Sequence, residues 1–166
     1  MSVKKGERKL SCNEAFHVAH QIKNELINYV LTDMGIDTAK ERKYPQIFIN
    51  FITMTKGDMI KALRDLTMRI SNAGYCKIVT DADLNYRRTQ ILKAIEDCYK
   101  LEHVCMTFIE TADAQNIDIN INKYYRLTRL IIKETDLLRS LKNKDLQQFR
   151  KYKKNQEKQG VYFPVG

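Results

Sequence analysis

The sequence predicts an all-α protein, an antiparallel up-down four-helix bundle with a basic C-terminal extension. Its 166 residues include only six Gly and two Pro, too few for the many turns of a sandwich or barrel. Four segments carry apolar residues at helical spacing, joined by short polar connections. Because such amphipathic helices can bury their apolar faces only against one another, a bundle is the expected solution.

The first helix is predicted at about 12–34. Ser11 and Glu14 form a capping box, with the second residue three positions after the first. Apolar residues from Phe16 to Met34 then recur at helical spacing. Gly35 stands where a left-handed helix cap belongs, so the helix should end there.

The second helix should begin at or after Pro45, because the proline disfavours a helical conformation at Tyr44. Positions 47–52 are apolar enough to suggest a strand, but no Gly or partner strand lies nearby, and we favour a helix. Gly57 could kink this helix. Its end is predicted at residues 72–74, Asn-Ala-Gly.

The third helix should follow a short linker at 75–80, with Thr80 or Asp81 as its cap. It is predicted from 82 to about 113, a segment that contains neither Gly nor Pro. Its apolar positions include Leu92 and the cysteines at 98 and 105, which recur at helical spacing.

The fourth helix should begin after Asp118 or Asn120, and its apolar face runs through 124–141. We divide the chain into a basic N-terminal tail at 1–10, a four-helix bundle at 11–143 and a C-terminal extension at 144–166. The extension is basic and either helical or disordered. Its apolar end at 161–165 either docks on a partner or on its own domain, or is disordered.

Cysteine usage and the lack of targeting signals predict a cytoplasmic protein. The four cysteines show neither C-x-x-C nor zinc spacing. We expect buried, reduced thiols at Cys12, Cys76, Cys98 and Cys105. No secretory segment follows the basic N-terminus, and no apolar run is long enough for a membrane span.

No constellation of residues predicts catalysis or a metal. Glu14, His17 and His20 contain the Glu-x-x-His half-motif of di-metal bundles, but a second copy is missing because Glu102 directly precedes His103. Neither a nucleophile with its base nor a phosphate-binding glycine loop occurs. We therefore predict no enzyme, no cofactor and no metal, with a metal-dependent bundle enzyme as the least favoured alternative.

Positive charge is concentrated in residues 123–158. This segment holds 12 Lys or Arg against four acidic residues, a net charge of +8, whereas the whole chain has +9. A focused positive field is typical of a protein with a polyanionic partner, since each neutralised phosphate releases counterions. The composition therefore predicts RNA or DNA as the partner.

Four of these cations, at positions 123, 126, 129 and 133, step at three- and four-residue intervals along one helix face. Others continue this pattern into the extension, and two more begin the third helix. The predicted nucleic-acid-binding residues are Lys123, Arg126, Arg129, Lys133, Arg139, Lys142, Lys144, Arg150, Lys151, Lys153, Lys154, Arg87 and Arg88.

Tyrosines are interleaved with the cations and could stack on unpaired bases, namely Tyr124, Tyr125, Tyr152 and Tyr162. The competing interpretation is a solvated face that only keeps the protein soluble. Such a face normally mixes both signs of charge. Because acidic residues are here outnumbered three to one, we favour phosphate binding.

Three segments carry a resemblance to a known group. They are 41–45 (Glu-Arg-Lys-Tyr-Pro), 70–75 (Ile-Ser-Asn-Ala-Gly-Tyr) and the Leu-rich third helix at 84–108. Over about 20–142 the chain resembles the accessory variability determinant proteins of diversity-generating retroelements. It is also similar to their relatives, the four-helix-bundle proteins encoded in intervening sequences of bacterial large-subunit ribosomal RNA genes.

The resemblance implies a non-enzymatic, positively charged, ring-like homopentamer. Such a protein binds template RNA and/or cDNA and partners a reverse transcriptase in mutagenic copying. The chain departs from the group at 47–55 and after 143. The alternative is a protein-interaction module of the ribosomal intervening-sequence type, whose basic tail docks on an acidic partner.

Overall fold

Four α-helices make up a computed structural model that describes residues 12–37, 39 and 43–158. The helices are α1 (Cys12–Glu25), α2 (Gln46–Tyr75), α3 (Asp81–Ala114) and α4 (Ile121–Lys158), with a π-helical turn at Leu26–Val30 after α1. Within the described residues no strand forms, and β pairing is limited to an isolated bridge between Ile36 and Ile119. The all-α prediction is confirmed, and four helices are consistent with a four-helix bundle.

The helices pack around a shared apolar core. α2 packs on α1 and α3, and α4 packs on α3 and α1. An aromatic cluster joins the start of α2, the end of α3 and the start of α4. In it, the Phe108 ring lies 6.0 Å from Phe48, 6.1 Å from Phe51 and 5.9 Å from Tyr124, measured between ring centroids. Stacked rings of this kind stabilise a core beyond the area they bury.

The first helix is shorter than the predicted 12–34 because α-helical hydrogen bonding ends at Glu25. In the π turn that follows, the Leu31 N–H donates to the Leu26 carbonyl oxygen at 2.8 Å. Because the π turn ends at Val30 with Leu31 as its cap, Gly35 does not cap a helix, although it adopts the predicted left-handed conformation, with a φ of 75°. Its carbonyl accepts the Asn120 N–H at 2.7 Å and so ties this loop to the start of α4.

The second helix confirms the prediction at both ends. It begins at Gln46, directly after Pro45, and the strand considered for 47–52 does not form. Gly57 does not interrupt it. The last helical residue is Tyr75, one position after the predicted Asn-Ala-Gly stop.

Polar caps set the starts of α3 and α4. The Thr80 side chain accepts the Asp83 N–H, and the Asp83 carboxylate accepts the Thr80 N–H at 2.8 Å, a reciprocal capping box. Thr80 rather than Asp81 is therefore the cap. At α4 the Asn120 side-chain oxygen accepts the Asn122 N–H at 3.2 Å, so Asn120 is the cap. The predicted cap at Ser11 lies outside the described residues.

The fourth helix continues without a break past 143 to Lys158. Residues 144–158 are therefore helical, one of the two alternatives left open by the sequence. Asp145 and Phe149 are buried beyond the point where we expected the core to end. Phe149 stacks on Tyr152 with 6.4 Å between ring centroids. The apolar segment 161–165 lies outside the described residues.

Several residues predicted on apolar faces are exposed instead. Phe16, Ile27, Ile60 and Leu92 all keep more than a third of their surface in solvent. Three of them, Phe16, Ile27 and Ile60, line an open groove between α1 and α2. In the part of the chain that the structure describes, no helix has an apolar stretch long enough to cross a membrane.

The four cysteines are free thiols. Burial confirms the prediction for Cys12, Cys98 and Cys105, whereas Cys76 is half-buried. Burial raises the pKa of Cys98 and of Cys105 to about 12. Both are therefore protonated at neutral pH, and protonated thiols are poor nucleophiles.

Candidate nucleic-acid interface

The inward face of α4 follows from its residue spacing. Its buried residues recur at alternating steps of three and four, which places them on one side of a helix with 3.6 residues per turn. The residues of this series are Tyr124, Leu127, Ile131, Glu134, Leu138, Leu141 and Asp145, and the helix also buries Thr135 and Phe149. The cations of α4 therefore have to lie on its flanks and on its outer side.

Six cations form what we call the outer basic stripe: Arg129, Lys133, Lys144, Lys151, Lys154 and Lys158. At 100° per residue they fall within an arc of about 80° on the side opposite the inward face. Lys144 is half-buried and the others are exposed. Along the helix axis the stripe extends about 44 Å, from Arg129 to Lys158. None of the six makes an ion pair with another described residue.

The acidic residues of α4 do not balance this stripe. Glu134 is buried, and burial raises its pKa to about 8, so it is mostly uncharged at neutral pH. Asp145 is buried beside Arg87, and Asp136 lies 3.7 Å from Arg139. Glu157 is exposed at the far end. The outer surface of α4 is therefore more positive than its composition indicates.

Two of the predicted cations tie α4 to α1 and the loop after it. The Lys123 ammonium donates to both carboxylate oxygens of Asp33 at 2.6 and 2.7 Å. Partial burial acts to raise the Asp33 pKa, but hydrogen bonds from Lys123 and the Gly35 N–H bring it below its usual value. Arg126 Nε lies 3.2 Å from Glu25 Oε1, and its guanidinium sits 5.2 Å from the Tyr29 ring centroid.

Arg139 and Lys153 face α3 instead. Arg139 donates to the Tyr99 hydroxyl and lies over that ring at 5.9 Å. Lys153 pairs with Asp81. Two other predicted residues on α4, Lys142 and Arg150, have no ion-pair partner among the described residues; Lys142 is half-buried and Arg150 is exposed.

The Arg87 guanidinium makes its hydrogen bonds within the protein. Its Nε and one terminal nitrogen donate to the two Asp145 oxygens at 2.6 and 3.1 Å. The other terminal nitrogen donates to the carbonyls of Ala73 and Cys76 at 3.2 and 3.3 Å. Arg87 therefore connects α3 to the end of α2 and to α4, and we leave it out of the interface. Its neighbour Arg88 is half-buried, and its Nε has no hydrogen-bond partner among the described residues.

The tyrosines separate into core and surface residues. Tyr124 is buried, and its hydroxyl donates to the Met34 carbonyl at 2.8 Å, so the expectation that it stacks on bases is wrong. Tyr125 is exposed and precedes Arg129 by four residues, which puts both side chains on neighbouring turns. Tyr152 is exposed, and its ring stacks on Phe149. Tyr162 lies outside the described residues.

The residues considered for a metal are all on the surface of α1. Glu14, His17 and His20 are exposed. The His17 ring contacts the Gln21 amide at 3.4 Å, and the His20 ring packs edge-on against Phe16 at 4.8 Å. Over residues 12–37, 39 and 43–158, no three or more His, Cys, Asp or Glu come together in a way that could hold a metal ion.

The comparisons with known proteins identify no family. No protein-family model, no curated protein and no solved structure matches this chain. The resemblance to accessory variability determinant proteins therefore stays a prediction from the sequence, and the function has to be argued from the site itself.

Proposed function

We propose that this protein binds nucleic acid, RNA and/or DNA, along the outer basic stripe of α4. The supporting observation is that α4 combines exposed or half-buried cations that lack an ion-pair partner in the described part of the chain with acidic side chains that are buried. The six stripe cations have no ion-pair partner among the described residues, whereas Glu134 and Asp145 are buried. A surface selected only for solubility would mix both signs.

The stripe suits a phosphate backbone better than individual bases. Lys and Arg side chains on a regular helix can neutralise successive phosphates, and such contacts position a nucleic acid without reading its sequence. Asp136 and Ser140 interrupt the stripe between Lys133 and Lys144, a gap of about 17 Å along the axis. The exposed Tyr125 ring beside Arg129 could stack on an unpaired base.

Charge reversal on the stripe tests the proposal. We expect the double variant Arg129→Glu/Lys133→Glu to bind a labelled single-stranded RNA of about 20 nucleotides more weakly than the wild type, measured by fluorescence anisotropy. Both residues are exposed and make no ion pair with a described residue, so the fold should be retained. Lys61→Glu/Lys93→Glu is the matched control, because it removes the same charge from exposed positions on α2 and α3.

Salt dependence provides the second measurement. If all six stripe cations contact phosphates, the log–log slope of affinity against salt should be about −4 for a single strand. The stripe variant should reduce that slope by about 1.4, because it loses two phosphate contacts, whereas the control should leave the slope unchanged. An affinity that does not change between about 50 and 200 mM salt, or equal losses in both variants, would overturn the proposal.

A narrower proposal is an accessory subunit of a reverse transcriptase in a diversity-generating retroelement. It rests on the resemblance, which also suggests a cytoplasmic homopentamer. An up-down antiparallel order of the helices belongs to the same proposal. It is supported by contacts between opposite helix ends, Phe48 with Phe108 and Lys153 with Asp81. Finding a neighbouring reverse transcriptase gene with two near-identical repeats would support the retroelement assignment. Light scattering of the purified protein, which gives its molar mass in solution, tests the pentamer.

The alternative partner is an acidic protein rather than a nucleic acid. The same stripe would attract it, because electrostatic complementarity does not distinguish phosphates from carboxylates at long range. Protein that purifies without nucleic acid and shows no anisotropy change with RNA or duplex DNA at low salt would support this alternative.

A further inference from the structure

A second surface lies between α1 and α2 and has no part in the proposed nucleic-acid function. It is a groove of about 500 Å³. α1 and the π turn after it contribute positions 16, 20, 23 and 27, and α2 contributes positions that include 60, 64, 67 and 71. Each set follows the steps of four, three and four that mark one continuous helix face. The groove is lined by Phe16, His20, Lys23, Ile27, Ile60, Leu63, Arg64, Thr67, Met68 and Ser71.

The floor of this groove is apolar. Ile27 is 45% exposed, Ile60 51% and Met68 45%, although these large side chains stand close together. The Thr67 hydroxyl adds little polarity, because it already bonds to carbonyl oxygens of its own helix at 2.9 and 3.1 Å. A contiguous exposed apolar surface with a polar rim is typical of a site that another element covers.

The rim of the groove is basic. Lys23 on α1 and Arg64 on α2 both line it, together with His20, and the lining includes no Asp or Glu. Neither Lys23 nor Arg64 makes an ion pair with a described residue. An occupant whose apolar stripe has carboxylates on both sides would therefore match the groove in hydrophobicity and in charge.

We propose that the α1–α2 groove binds an amphipathic helix with acidic flanks, contributed by another protein. Three turns of such a helix span about 16 Å, the length covered by the four positions on each wall. A second copy of this chain fits less well, because a twofold contact would bring two sets of Lys23 and Arg64 together. A nucleic acid fits less well too, because its phosphates would lie against an apolar floor.

The test uses designed peptides as probes. The first is an Ala-based helix of about 16 residues, with four Leu spaced four, three and four apart and Glu on both sides of them. The second carries Lys in place of Glu. We expect the wild-type protein to bind the Glu peptide at least about tenfold more tightly than the Lys peptide, with shifts of the Ile27, Ile60 and Met68 methyl signals in NMR spectra.

Two glutamate substitutions on α2 separate groove binding from general attraction to a basic protein. Met68→Glu should weaken binding of the Glu peptide by about tenfold, because it places a carboxylate in the apolar floor. Met54→Glu changes the net charge equally at a site outside the groove and should have no effect; Met54 is 68% exposed. The double variant Lys23→Glu/Arg64→Glu should reverse the preference in favour of the Lys peptide.

Several results would overturn this inference. Equal affinity for both peptides would show that the basic rim does not select the occupant. Equal losses in Met68→Glu and Met54→Glu would show that net charge, not the groove, governs binding. Self-association that Met68→Glu abolishes would assign the groove to a second copy. Displacement of the Glu peptide from the Met68 methyl by single-stranded RNA would assign it to nucleic acid. If the stripe and control variants lose RNA binding equally, the nucleic-acid proposal fails while peptide binding to the groove is unaffected, so the two proposals fail separately.

Discussion

Replacing Glu134 by leucine should stabilise this protein, by an amount that grows with pH. Glu134 is fully buried on the inward face of α4, between Ile131 and Leu138. Neither carboxylate oxygen accepts a hydrogen bond from a described residue. Burial raises the pKa of this carboxyl from 4.5 to about 8, with the positive charge of Lys133 acting in the opposite direction. The folded protein therefore holds a proton that the unfolded chain releases.

The size of the effect follows from this difference in pKa. Between pH 4.5 and about 8, folding takes up a proton at Glu134, so the free energy of unfolding falls as the pH rises. The loss is about 1.4 kcal/mol per pH unit. It should reach roughly 3 kcal/mol at pH 7 and roughly 5 kcal/mol above pH 8, and it should vanish below pH 4.5. Leucine has no charge to lose and also fits the apolar face.

Urea unfolding followed by circular dichroism at about pH 5, 7 and 9 measures this effect. The difference in unfolding free energy between Glu134→Leu and wild type should widen steadily across the series. Asp136→Asn is the matched control, because Asp136 is an exposed carboxylate two residues away, and its difference from wild type should stay constant. A Glu134→Leu difference that does not change between about pH 5 and 9 would refute the reasoning.

Two further substitutions address buried polar contacts. Arg87→Met should cost about 3–5 kcal/mol of unfolding free energy in urea, because the buried Asp145 carboxylate loses its bidentate partner. Arg87→Met/Asp145→Leu should recover most of that loss, and a double variant no more stable than the single one would contradict the buried-charge explanation. Tyr124→Phe should cost about 1–2 kcal/mol through the unpaired Met34 carbonyl, whereas the exposed Tyr125→Phe should change stability by less than about 0.5 kcal/mol. Equal effects of the two tyrosine substitutions would contradict a buried hydroxyl contact.

The helices were predictable because their signals are local. Pro45 before α2, the Thr80 capping box before α3 and the left-handed Gly35 after α1 all act within a few residues of the chain. Apolar spacing then identified most of the inward faces. The end of α1 was placed too late, because nothing in its spacing distinguishes an α turn from the π turn at Leu26–Val30.

The candidate interface was predictable as a region but not as a set of side chains. The charge excess at 123–158 and the three- and four-residue steps are visible in the sequence. Which of those cations are free is not, since Lys123 pairs with Asp33 across 90 positions of the chain. The burial of Glu134 could have been predicted, because this residue continues the apolar spacing of Ile131 and Leu138. Its charge suggested a surface residue instead.

The amino-acid sequence alone predicts four helices, most of their boundaries and a positive field centred on α4, because periodicity, capping and net charge depend only on neighbouring residues and composition. Three findings required the folded structure: Arg87 is used in the interior, Glu134 is buried, and an apolar groove with a basic rim lies between α1 and α2. The physical reason is that burial and ion pairing between helices depend on which helices are adjacent and in what register. Neither is encoded at any single position of the chain.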